Sequence, residues 1–421
     1  MTATTETRAT ASSQFEAYWQ HLETLPWVAM ALCSMRSGSD AFHSHLDGHP
    51  EILSFNGPFF VYDFWRQSWC ANAEGELDAG DLAAEFTGRF VHKLKSRYDL
   101  VERKHQLGDD QNQSIDIDLA AFQMKLTAMM RQRPITCRNF LFSVYAAYAL
   151  CLGEDIFGKR VIFHHAHKLD RLLMFLADFP DAKIVGMVRD PRAAIVSGVE
   201  NWRRFRPSTD HPTQALSVIQ RVAEGADPLR GRKNDFSLLR LEDIGEDAVM
   251  RSICAWMDVS YHECLRVSTW SGQRWWGDRL SKVKQEGSLS PEDFSKQIRN
   301  NKWREKLTWW DTFVLTFLFR QRLIKLGYEK SVADNPLAAA AVLGCILLPT
   351  AFELRYFSPG YLVSALRRGK ILRPVSVVFF YGLRVLKYLK LFAVSYRAPL
   401  TDPPRFRPLD SAETPAPRET A

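Results

Sequence analysis

The chain has 421 residues, 46% of them hydrophobic, with 55 Lys and Arg against 48 Asp and Glu for a formal net charge of +7. That length and apolar content suffice for one large α/β core with an appendage. Seven cysteines, odd in number and without a C-x-x-C pair, argue against a disulfide framework or structural zinc and for a reducing compartment.

In chain order, residues 1–24 form a polar N-terminal segment with no visible signal peptide, and the first apolar run, at 25–33, is a predicted strand. It leads into Arg36-Ser37-Gly38-Ser39 and then directly into an amphipathic helix carrying Phe42 and Leu46, bounded by Gly48 and Pro50. This layout is an anion cradle: Gly38 lets the backbone approach a ligand, and the N–H groups of the helix start face its negative charge. A phosphate or a sulfate suits it. The spacing is not G-x-x-x-x-G-K-[ST], so an ordinary triphosphate loop is not indicated, and the same residues also suit a turn that merely opens a core helix. His43, His45 and His49 lack Cys or carboxylate partners at ligand spacing and read as surface or packing residues.

Residues 81–150 read as a helical insertion, with Phe86, Phe90 and Leu94 at helical spacing around a polar break, and they are the expected acceptor wall. Beyond it, KRVIFHHAHKLDRLL (159–173) supplies His164, His165 and His167; strand alternation puts the last two on one face. In AKIVGMVRDPRAAIVSGVENWRRF (182–205) a second strand ends at Arg189, Asp190 and Pro191 open a helix, and Ser197 lies two turns in on the same side. Arg189 with Ser197 makes a second oxyanion site; the alternative is pairing of Arg189 with Asp190 and a serine that satisfies only itself.

The two segments together resemble the PAPS-dependent sulfotransferases, whose first loop binds the 5′-phosphosulfate and whose R-D-P-R-x-x-x-x-S element binds the 3′-phosphate. LLRLEDIGEDAVMRSICAWMDV (238–259) is similar to the family's R-Y-E-D-L segment, and SGQRWWGDR (271–279) to its N-G-x-x-W-x-G-N-S element, so the resemblance runs from about residue 25 to Tyr328. It implies transfer of a sulfuryl group from PAPS to a hydroxyl or amine without a metal. Arg36, Ser37, Gly38 and Ser39 would hold the phosphosulfate, and Arg189 and Ser197 the 3′-phosphate. Of the paired Trp275 and Trp276, Trp276 is assigned to stacking on the adenine, with packing of both as the alternative. His167 precedes Arg189 by 22 positions, which fits the family's Lys-Thr-His element and makes His167 the expected base beside Arg36.

Two positions depart from the family. Asp40 stands where a second hydroxyl residue is usual, and His165 stands at the lysine of the Lys-Thr-His element, with Lys168 close by. A catalytically silent protein of the same fold, or a phosphotransferase using ATP, are the alternatives; the second lacks a Walker lysine and a clear magnesium carboxylate pair.

After residue 330 the character changes. Residues 331–421 hold 12 of the basic residues and 6 of the acidic ones, and nine basic residues between Arg355 and Arg397 meet no acidic one. With Arg384, Lys387 and Lys390 among aromatics and leucines, residues 336–397 suit an interfacial helix on an anionic membrane face rather than nucleic acid; the apolar run 336–352 carries Pro349 and is too short to span. The alternative is docking of these helices on the catalytic domain.

The expected protein is thus α/β, a P-loop-type three-layer fold with a central mostly parallel sheet. It comprises the polar segment 1–24, a sulfotransferase domain 25–330 with its helical insertion, a basic apolar helical extension 331–398 and a disordered tail 399–421. Its expected partners are PAPS, a carbohydrate, lipid or other small acceptor, and a membrane surface; its expected location is cytoplasmic, peripheral on the inner face.

Overall fold

The computed structural model describes residues 2–72, 77–95, 107–115, 117–205, 212–225, 229, 231–277, 302–354, 356, 358–369, 371–396 and 404–406. Five apolar runs become the strands β1 (Trp27–Leu32), β2 (Ile52–Ser54), β3 (Val161–His167), β4 (Lys183–Val188) and β5 (Phe236–Arg240). Every neighbouring pair is parallel, in the order β2-β3-β1-β4-β5. Helices cover both faces of such a sheet, which is why the strands read as continuous apolar runs rather than alternating ones. Because the chain leaves β1 toward one side for β2 and later crosses to the other side for β4, ligands are expected beyond the carboxyl ends of β1, β3 and β4.

The helices are α1 (Thr2–Thr24), α2 (Ser39–Leu46), α3 (Val61–Ser68), α4 (Ala79–Arg89), α5 (Val91–Leu94), α6 (Leu119–Met130), α7 (Cys137–Leu152), α8 (Leu169–Asp178), α9 (Pro191–Phe205), α10 (Pro212–Glu224) and α11 (Asp247–Met257). Then come α12 (Trp309–Leu318), α13 (Arg320–Lys325), α14 (Pro336–Ile346), α15 (Ala351–Leu354), α16 (Pro359–Arg367) and α17 (Arg373–Ser395). One sheet face is covered by a core that includes Phe55, Phe86, Phe122, Tyr145 and Phe175, the other by Phe42, Phe163, Met250 and Ile253.

Helices α4 to α7 form the insertion, and local capping sets their limits. The Asp78 carboxylate accepts from the backbone N–H groups of Gly80 and Asp81, Asp118 from Ala120 and Ala121, and Thr136 from Asn139, while Gly153, at φ +75°, ends α7. The Phe86 and Phe90 rings stack at 4.6 Å within this core. The polar N-terminal segment is helical too. Its few apolar residues suffice to dock it: Trp19 and Leu22 are fully buried, and Trp19 Nε1 donates to the Met129 carbonyl at 2.7 Å.

The extension shares a core with the catalytic domain. Val342, Ile346, Phe380 and Tyr388 are buried in one cluster with Ile195, Leu216 and Leu315 of α9, α10 and α12. Of the three basic residues expected on its polar face, Arg384 instead turns inward: its Nε donates to Glu353 at 2.7 Å, and its Nη atoms donate to the carbonyls of Ile346 and Leu348. It thereby satisfies carbonyls left unpaired where α14 ends. Among the described residues no helix is long and apolar enough to cross a membrane. Within the segment expected to be disordered, residues 404–406 run beside β5: Leu238 N donates to the Pro404 carbonyl at 2.7 Å and Phe406 N to the Leu238 carbonyl at 2.9 Å. The rest of that tail lies outside the described residues.

Candidate active site

The loop after β1 is pinned from below. Cys33 N donates to the Met187 carbonyl at 2.9 Å, and the Ser37 hydroxyl points inward to the carbonyls of Ser34 (2.6 Å) and Met187 (3.0 Å). Ser37, expected to face a donor, therefore holds the shape of the loop, leaving its backbone as the part available to an anion. Arg36 adopts φ +54° and Gly38 φ +79° immediately before α2. A side chain on Gly38 would be strained at that φ and would also force the Leu241 side chain aside.

The end of β3 carries the histidines. Met30 pairs with His165 but Ala31 with His167, so Ala166 is an extra residue and the strand bulges there. His167 then takes φ +64°, in the left-handed region that histidine, asparagine and aspartate enter more readily than other residues with a side chain. The bulge brings both rings against α2: His167 Nδ1 lies 3.3 Å from Ser39 Oγ and 3.3 Å from His165 Nε2, and His165 Nδ1 lies 3.1 Å from His43 Nδ1 and 4.0 Å from Asp40 Oδ1. His164 faces the other way, bonded to the Tyr145 hydroxyl at 3.0 Å and stacked on Phe175 at 4.5 Å.

Burial holds these deeper rings neutral. It lowers His43 and His164 to about 3, and His45 and His49 to about 4, the last two despite hydrogen bonds to the carbonyls of Leu265 and Ser260. His45 and His49 lock α2 and the turn after it to the segment 260–265.

Arg189, at the end of β4, meets the same loop: its Nη1 donates to the Arg36 carbonyl at 3.3 Å, and its Nε is buried with no hydrogen-bond partner among the described residues. Burial pushes the guanidinium down, Glu242 pulls it back up, and the Arg36 charge pushes it down again. Two cations crowded in this way favour an anion between them. Glu242 is buried, which raises its carboxyl against the opposing pull of Arg189 and Tyr328; it accepts from Tyr328 Oη at 2.7 Å and from Asp190 N at 3.3 Å. The second arginine of the R-D-P-R element, Arg192, is a clamp, ion-paired with Asp190 at 2.7 Å and Glu329 at 2.6 Å.

Tyr328 and Glu329 escaped the sequence reading, because nothing local in LIKLGYEK marks them as partners of residues so distant in the chain. Ser197 is half-buried on α9. Trp276 follows a small hairpin of β6 (Thr269–Trp270) and β7 (Gln273–Arg274); its Nε1 donates to the Gly108 carbonyl at 2.7 Å and the Arg274 guanidinium lies 4.0 Å from its ring centre. The hairpin reaches the histidines through Trp270, whose ring meets His43 edge-on at 4.8 Å.

A five-stranded parallel sheet with helices on both faces and a left-handed Arg36-Ser37-Gly38 turn after its central strand defines an α/β protein whose first loop suits an anion. The chain belongs to the sulfotransferase family, whose profile matches residues 30–263. Among solved structures it is similar to the sulfotransferase domain from the Synechococcus PCC 7002 olefin synthase, at 17% identity over 66% of this chain and 88% of that one, with a TM-score of 0.38. It is also similar to the sulfotransferase domain from the curacin biosynthetic pathway (16% identity, 67% and 89% coverage, TM-score 0.38). Sulfotransferase STF9 from Mycobacterium avium is similar at 14% identity, 76% and 83% coverage and a TM-score of 0.35. No curated protein matches.

Proposed function

We propose that this sulfotransferase uses PAPS as donor, with Arg36, Gly38, Ser39 and the start of α2 around the phosphosulfate and Arg189 and Ser197 around the 3′-phosphate. The observation that carries the reading is the convergence on one loop: Ser39 touches His167 at 3.3 Å, and the Arg36 carbonyl meets Arg189 at 3.3 Å. The Arg189 Nε, buried and without a hydrogen-bond partner among the described residues, lies beside a second arginine and suits a phosphate dianion. Trp276 is proposed to border the adenine.

In the proposed reaction an acceptor oxygen or nitrogen attacks sulfur, the bond from sulfur to the bridging phosphate oxygen breaks, and that oxygen leaves with the electron pair as adenosine 3′,5′-bisphosphate. His167 takes the acceptor's proton. Its Nδ1 is turned toward Ser39 and His165, which assigns Nε2 to the acceptor. Arg36 offsets the negative charge that grows on the leaving oxygen.

The acceptor is proposed to be a saccharide or glycolipid at the cytoplasmic face of a membrane, reached through the extension. Helix α17 has two apolar stripes: Val377, Phe380 and Tyr388 face the core, and Val375, Val378, Phe379 and Leu386, at i, i+3, i+4 and i+11, stay 66–74% exposed on the opposite side. Exposed Arg367, Arg368 and Lys390 lie on the same extension, and cations beside an exposed apolar stripe suit anionic lipid.

The test is thermal stabilisation by adenosine 3′,5′-bisphosphate. Stabilisation by it and not by ATP with magnesium supports the reading; the reverse result replaces it with a phosphotransferase, and no response to either leaves a silent protein of this fold.

A further inference from the structure

The two positions at which this chain departs from its family, Asp40 and His165, come together beside His167. One ligand atom from each of the three residues lies within 4.8 Å of the others. They arrive from two rigid elements, the first turn of α2 and the bulged end of β3.

The two histidines already stand at metal-ligand spacing, and Asp40, whose Oδ1 is 4.0 Å from His165 Nδ1, lies within one side-chain rotation of them. His165 Nε2 and His167 Nδ1 are 3.3 Å apart, and a tetrahedral ion with metal-to-nitrogen bonds of about 2.0–2.1 Å sets its ligands about 3.3–3.4 Å apart. The outer shell is present as well: His165 Nδ1 faces His43 Nδ1 at 3.1 Å, and His43 is wedged edge-on between Phe163 at 5.1 Å and Trp270 at 4.8 Å. When His165 donates from Nδ1 to His43, its Nε2 lone pair is directed at His167, the orientation that a ligating histidine receives from its second partner. His165 is buried, whereas Asp40 and His167 are partly exposed, so one side of the cluster stays open to an incoming ion.

We propose that Asp40, His165 and His167 form a three-ligand site for a divalent transition metal of the zinc type, with a fourth position open to water or an anion. An imidazole bound to metal through Nδ1 carries its proton on Nε2 and has no lone pair for an acceptor. Occupancy therefore silences His167 as a base, making the site inhibitory for the reaction proposed above. The metal site itself does not depend on that reaction.

Cobalt(II) titration of the chelator-treated full-length chain tests this. The expected result is one equivalent bound with visible d–d absorption and no near-ultraviolet thiolate band, displaced by zinc. Asp40→Asn and His165→Gln should each weaken binding by about a hundredfold or more, beyond the loss that outer-shell changes cause; unchanged melting curves in the absence of metal establish that they fold. Cobalt binding that survives both substitutions, a thiolate spectrum, or no binding by the wild type overturns the proposal. Because adenosine 3′,5′-bisphosphate binding is measured separately, failure of the donor site and failure of the metal site are told apart.

Discussion

Arg189 Nη1 donates to the Arg36 carbonyl at 3.3 Å, a contact between residues 153 positions apart that welds the end of β4 to the loop after β1. The carbonyl it engages belongs to a residue at φ +54°, so one guanidinium both steadies a left-handed turn and stands ready for an anion. Positioning and charge come from the same side chain.

Replacement of that side chain should remove both the anion contact and the support of the loop. Arg189→Ala is expected to weaken adenosine 3′,5′-bisphosphate binding by about 1.5–3 kcal/mol, roughly ten- to a hundredfold, the worth of hydrogen bonds to a charged group. Calorimetric titration checks it.

For the base, His167→Ala should bind the bisphosphate normally and lose about 10²–10⁴ in sulfuryl transfer, the usual contribution of general base catalysis. Full transfer activity in a variant that still binds would remove His167 from the mechanism.

Acid should weaken the fold through buried histidines. His164 near 3, and His45 and His49 near 4, lie below the ordinary value of 6.5, so below about pH 6.5 the unfolded chain binds protons that the folded one does not. Stability is fully present above that value and is lost as pH falls toward 4, by up to about 1.4 kcal/mol per pH unit for each histidine. Urea denaturation at pH 7.5, 6 and 5 should show the decline, and His164→Asn should make it shallower.

The buried pair in the extension predicts a large and asymmetric effect. Arg384 and Glu353 are 1% and 0% exposed, so Arg384→Ala leaves a carboxylate without its cation and should cost about 3–5 kcal/mol in urea denaturation. An exposed pair such as Lys306 with Glu200 should cost under about 1 kcal/mol when broken.

Membrane binding is best tested on the outer stripe alone. Phe379→Glu with Leu386→Glu should abolish sedimentation with anionic vesicles while leaving the melting temperature nearly unchanged, since both side chains are exposed. Truncation at residue 331 is a poorer test, because it would strip Val342, Phe380 and Tyr388 from a shared core.

Much of this was legible in local chemistry. Strand, turn and helix around Gly38, the Asp190-Pro191 helix start and the neighbouring faces of His165 and His167 all follow from short-range rules of backbone and side-chain direction. What stayed hidden was long-range. Nothing near Ser37 shows that its hydroxyl is bound to the Met187 carbonyl, and nothing near Arg384 announces Glu353, because such pairings are decided by how elements stack. The extension shows the same division: its basic and apolar composition was plain, but only packing distinguishes an inward arginine from an outward one.

The short run Pro404–Phe406 lies along the outer edge of β5, where Phe406 also meets Trp256 at 5.2 Å. Until that stretch leaves the ribosome and arrives, β5 shows a row of unpaired amides and carbonyls to any neighbouring nascent chain. Covering of that edge is thus a late event, and a bulky fusion placed just after Phe406 would compete with the bridge between residues 404–406 and Leu238.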